Sequence, residues 1–75
     1  MIVTVGKRVY QMSQQEYENL LKVASDQIPC GVYAIEKGGK AELRRDKCNS
    51  KGKLKEVIRY WKTKGYKVYA NRGDG

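Results

Sequence analysis

The tetrapeptide Ser13-Gln14-Gln15-Glu16 restricts the fold more than any other stretch of the chain. It is a capping box: the Ser13 hydroxyl accepts from the Glu16 amide, and the Glu16 carboxylate reaches back to the Ser13 amide. A helix must therefore begin here. Met12 before the cap and Tyr17 after it are placed to form a hydrophobic staple. Tyr17, Leu20, Leu21, Ala24 and Ile28 recur at helical spacing on one face, and Pro29 and Gly31 end the segment.

The remaining elements fall to either side of this helix. Ile2 to Val5 and Arg8 to Met12 flank Gly6-Lys7, which suits a type II′ hairpin turn. Residues 31–37 and 40–47 read as two strands joined by Gly38-Gly39 in a type I′ turn, which needs the positive φ that glycine accepts. In that register Lys37 faces Lys40, Ala34 faces Leu43 and Tyr33 faces Arg44. A second helix begins at the N-cap Ser50 and runs to about Lys64. Its apolar stripe is Leu54, Val57, Ile58 and Trp61. Gly65 is its C-terminal cap, and Tyr66 to Ala70 form a last strand. The resulting class is α+β: an antiparallel sheet with two helices on one face, in the ferredoxin-like βαββαβ order, with an extra N-terminal hairpin strand. Residues 1–71 form one domain and 72–75 a loose tail.

A chain of 75 residues buries only about 60% of the surface it exposes when unfolded, so its core is thin. With 40% hydrophobic and 32% charged residues it has a folded composition. No apolar run approaches the ~18 residues of a membrane span, and the first residues lack the pattern of a signal peptide. The expected location is the cytoplasm. There is no histidine, which removes His-based acid–base catalysis and nearly all zinc constellations. No residue pair is spaced for catalysis, and the expectation is a non-enzymatic protein without metal or cofactor.

The charge is concentrated. The net charge is +8, and the whole excess lies in residues 36–67, where twelve basic residues meet four acidic ones. On the second helix Lys51, Lys55, Arg59 and Lys62 fall within an arc of roughly 80°. Arg44, Arg45 and Lys47 extend the patch into the second hairpin. Such cations track phosphates, and a basic domain with this footprint points to DNA or RNA. The same patch fits an acidic groove on a protein partner. The narrow apolar stripe is needed for the core, so a membrane surface is not an expected partner.

Tyr33 and Tyr69 add a second signal. If Val32, Ala34, Leu43, Val68 and Ala70 face the helices, then Tyr33, Arg44, Lys67 and Tyr69 share the open face of the sheet, where aromatics beside cations stack on bases. This use of a sheet resembles that of RNA-recognition-motif domains. The chain is no member of that family, because its matching third strand, Lys40 to Arg45, carries no aromatic. Ile35 on the same face points instead to a covered sheet.

Cys30 is expected opposite Lys47, with Cys48 one residue beyond. A bulge would bring the two into disulfide range, whereas a reducing compartment favours two free thiols. Arg72-Gly73-Asp74 spells the integrin-binding tripeptide and is read as a chance occurrence in a tail.

Two stretches, Gly6 to Tyr17 and Ile58 to Ala70, with their Lys-rich opening strand, capping box and helix-Gly-strand ending, resemble the short accessory proteins of bacteriophages and other mobile elements of Gram-positive bacteria. The resemblance implies binding to nucleic acid, to a host enzyme or to a defence complex rather than catalysis. The leading expectation is a nucleic-acid-binding domain contacting phosphates through Arg44, Arg45, Lys47, Lys51, Lys55, Arg59 and Lys62, with Tyr33 and Tyr69 as stacking residues. The alternative is a protein-interaction module, such as a phage-encoded inhibitor of a host or defence enzyme of CRISPR or restriction type. Homodimerisation stays open, since an exposed edge strand and a thin core both gain from a second copy.

Overall fold

The capping box is in place in the computed structural model, which describes residues 1–72. Glu16 N donates to Ser13 Oγ and Ser13 N to Glu16 Oε1, both at 3.2 Å. The chain runs β1 (Ile2–Val5), β2 (Arg8–Gln11), α1 (Gln14–Gln27), β3 (Cys30–Lys37), β4 (Lys40–Lys47), α2 (Lys51–Thr63) and β5 (Lys67–Arg72). Gly6 takes φ +63 with no positive φ at Lys7, as a type II′ turn requires, while Gly38 and Gly39 are both positive, as in type I′. The second helix ends in a Schellman motif. Tyr66 N donates to Trp61 O and Gly65 N to Lys62 O, with Gly65 at φ +86 and the Trp61 and Tyr66 rings 5.1 Å apart.

The α+β class holds, but the expected arrangement does not. The five strands lie in the order β2-β1-β4-β3-β5. The sheet is mixed, because β1 runs parallel to β4 while every other neighbour pair is antiparallel. The ferredoxin-like reading gave an inner role to the second arm of the first hairpin. In the structure that arm, β2, lies at the edge, and all four of its residues are exposed. β1 takes the inner place because it can bury Val3 fully.

The helices also lie on opposite faces of the sheet, not on one. The crossovers β2-α1-β3 and β4-α2-β5 both move the same way across the sheet, but they leave strands of opposite direction. Right-handed connections then place the two helices on opposite sides. The packing agrees. Tyr17 of α1 lies against Val3 and Ala41, with Leu21 and Leu43 at the margin. Leu54 of α2 lies against Val32 and Ile35, with Val57, Ile58, Trp61, Val68 and Ala70 around it.

A shift in β3 serves this two-sided core. Val32 pairs with Asp46 and Ala70, and Ala34 with Leu43 and Tyr69. Between these two rungs β4 therefore advances three residues, β3 two and β5 one. The distortion lets Val32 and Ile35 both face α2 while Ala34, fully buried, faces α1. The expected pairs Lys37–Lys40 and Ala34–Leu43 form, while Tyr33 falls within the shift.

Arg72, read from sequence as the first residue of a tail, closes β5 opposite Cys30. Residues 73–75, and with them the rest of the Arg-Gly-Asp tripeptide, lie outside the described residues. Among the described residues no helix is long and apolar enough to cross a membrane.

Candidate nucleic-acid interface

The cations singled out in the sequence separate into three groups. Arg44 stands alone. Its Nε lies 2.6 Å from Asp46 Oδ2 and its Nη1 2.9 Å from Glu42 Oε1. Glu42, Arg44 and Asp46 alternate along β4, so their side chains share the α2 face. The guanidinium also lies 4.6 Å from the centre of the Trp61 ring, and the side chain is only 24% exposed. Burial draws its pKa down, but Asp46 and Glu42 outweigh burial and hold it above the ordinary value. Arg44 is thus a half-buried cation between two carboxylates and an indole, set apart from the exposed α2 stripe.

The second group is the stripe on α2. Lys51, Lys55, Arg59 and Lys62 are all exposed. Packing of Leu54, Ile58 and Trp61 onto the sheet fixes which way the stripe points. Lys55, Arg59 and Lys62 line a shallow groove with Ile58, Thr63 and Arg72. Among the described residues no acidic side chain lines it. None of its four cations forms an ion pair with another described residue. Arg72 was missed in the sequence reading, although a signal for it was present. Val68, Ala70 and Arg72 continue one period-two alternation, which carries the strand two residues past Ala70 and turns Arg72 towards α2.

The third group lies on the other side of the sheet. Arg45 and Lys47 alternate with Leu43 on the α1 face, and together they border a small hollow with Gln27 and Ile28. The thickness of the sheet separates them from the α2 stripe.

Tyr33, Lys67 and Tyr69 do share a face, as expected, but it is the α1 face and Arg44 is not on it. The two tyrosine rings are 6.3 Å apart and tilted by 38°. Lys67 Nζ lies 5.0 Å from the centre of the Tyr69 ring. Both tyrosines are half-buried beside α1. Burial raises the Tyr69 hydroxyl pKa, and the neighbouring Glu36 carboxylate raises it further. Ile35, expected on this face, lies on the other one beneath α2.

No protein-family model, curated protein or solved structure matches the chain.

Proposed function

We propose that the chain is a non-enzymatic nucleic-acid-binding domain that contacts phosphates through Lys55, Arg59 and Lys62 of α2 together with Arg72 of β5. The observation that carries this reading is the groove itself. Two elements supply four cations to one concave strip, and among the described residues no carboxylate lines it and no ion pair competes. Phosphate contacts of this kind position a backbone and carry no sequence information. Lys51 extends the strip towards the first turn of the helix. The partner is DNA or RNA.

Four neutralised phosphates give a log–log salt slope of about −3.6 on a duplex and about −2.8 on a single strand. The test is fluorescence anisotropy of labelled duplex DNA, single-stranded DNA and RNA across a salt series. Removing two contacts in the variant Arg59→Ala/Lys62→Ala should weaken binding and halve the slope. An unchanged affinity and slope would sink the proposal.

A second reading is favoured by the opposite end of the sheet, where edge strand β2 exposes Val9 (67%) and Tyr10 (42%). In this reading the chain is a protein-interaction module of the accessory type that its sequence resembles, such as an inhibitor that sets its basic strip into an acidic groove. A complex with a protein partner that survives nuclease treatment, without measurable nucleic-acid binding, would select it.

A further inference from the structure

The shift between β3 and β4 changes the partner of Cys30. An unbroken register from Lys37–Lys40 would set Cys30 against Lys47. The extra residue in β4 sets Gly31 against Lys47 instead, so that the next rung joins Cys30 to Cys48. The rung is made, with Cys48 N donating to Cys30 O at 3.1 Å. Both side chains pack against the Val32, Ile35 and Leu54 cluster, so they project to the same face. Directly opposed residues on one face hold their Cβ atoms within about 4.5–5.5 Å, at the margin of the range a disulfide bridges.

A neighbouring feature shows how closely the backbones approach here. Gly31 has φ +143, and a Cβ on it would collide with Asp46 O and fall 2.9 Å from Lys47 Cα. The strands meet at that distance only because residue 31 has no side chain. Both thiols are free and half-exposed, so a small reagent can reach them.

We propose that Cys30 and Cys48 are a redox-active dithiol that closes to a cross-strand disulfide on reaction with a low-molecular-weight disulfide such as oxidised glutathione. One thiolate attacks a glutathione sulfur, forms a mixed disulfide and releases one glutathione thiolate. The other cysteine thiolate attacks the protein sulfur of that mixed disulfide, forms the Sγ–Sγ bond and releases the second glutathione thiolate. The two cysteines are oxidised, one glutathione disulfide is reduced to two thiols, and the two cysteine protons pass to the glutathione thiolates. The bond would pin β4 to β3 where the chain leaves the sheet, two residues before the N-cap Ser50 of α2. This inference does not depend on the nucleic-acid reading.

The test is mass spectrometry of the whole protein during incubation with oxidised glutathione. The expected product has lost two hydrogens and both titratable thiols and carries no adduct. Cys30→Ser and Cys48→Ser should each stop at one stable glutathione adduct. Closure should be on the order of tenfold or more faster in buffer than in denaturing urea, because the folded register holds the thiols together. A wild-type protein that stays reduced, keeps two adducts, links to a second copy or closes equally fast in urea would overturn the proposal.

Discussion

The Arg44 guanidinium lies face-on to Trp61, 4.6 Å from its ring centre, while bridging Glu42 and Asp46 on the same strand. Replacing Arg44 with alanine takes the shared partner from Glu42 and Asp46, whose side chains are 46% and 33% exposed, and uncovers the indole. The expected loss is about 1–3 kcal/mol of stability, read as a lower urea midpoint. The salt slope of nucleic-acid binding should not change, because this cation faces no phosphate. A reduced slope in a fully folded Arg44→Ala protein would show that it does.

Arg45 and Lys47 offer the complementary comparison. They are two exposed cations like those of the α2 stripe but lie across the sheet from it. Arg45→Ala/Lys47→Ala should reduce the salt slope by less than about 0.5, against about 1.8 for removing two groove contacts on a duplex. Arg72→Ala should behave as a groove residue and lower the slope by about 0.9. Equal losses from both double variants would mean that charge alone, and not the groove, governs binding.

Gly31 is expected to tolerate no side chain. Gly31→Ala drives a methyl group into Asp46 O at a φ that L-residues rarely adopt, and we expect it to cost more than about 3 kcal/mol. Gly38→Ala has the positive φ without the collision and should cost about 1–2 kcal/mol. Denaturant midpoints of the two variants separate the steric effect from the conformational one.

Asn71 ties the last strand to the end of the first helix. Its Nδ2 shares two hydrogens among Ser25 O, Ser25 Oγ and Ile28 O, at 2.9, 2.9 and 2.7 Å. Asn71→Ala should lose about 1–2 kcal/mol. Asn71→Asp should lose more, because it replaces the donor with an anion facing carbonyl oxygens at the negative end of a helix. If the aspartate variant proves as stable as the parent, the amide is not acting as a C-terminal cap.

Tyr17 is fully buried, and its hydroxyl has no hydrogen-bond partner among the described residues. Burial, and then the nearby charge of Glu36, push its pKa well above the ordinary value. The unfolded chain ionises this phenol near pH 10, while the folded chain keeps it protonated to higher pH. The unfolded state therefore binds fewer protons above about pH 10, and stability falls as pH rises through that point. Tyr17→Phe should change stability at pH 7 by no more than about 1 kcal/mol and should flatten the alkaline loss. Parallel urea curves at pH 8 and pH 11 test both expectations. An alkaline loss as steep in the phenylalanine variant as in the parent would assign it to other groups.

The local elements were legible because local chemistry determines them. Ser13 and Glu16, Ser50, Gly38-Gly39 and Gly65 each mark a boundary with a side chain or a φ preference. Sheet order was not legible, because no local signal tells β1 to lie parallel to β4. The two-sided core did leave a trace. Val32, Ala34 and Ile35 are buried almost without interruption, as a strand covered on both faces requires, whereas simple alternation describes a strand with one face covered. At the candidate site the α2 stripe was readable from its angular spacing. Arg44 was misplaced although the alternation of Glu42, Arg44 and Asp46 already held its partners. Arg72 was lost because the strand was ended at its last apolar residue.

The parallel pairing of β1 with β4 joins Ile2 to Lys40, across 38 positions of the chain. During synthesis the N-terminal hairpin leaves the ribosome long before the strand that will shelter Val3 exists. The β3–β4 hairpin closes over two glycines and needs only near neighbours. It is the natural template for its two neighbours, β1 across 38 positions and β5 across up to 42. Until β4 is available, β1 has only β2 beside it, and its other edge stays open to a wrong partner.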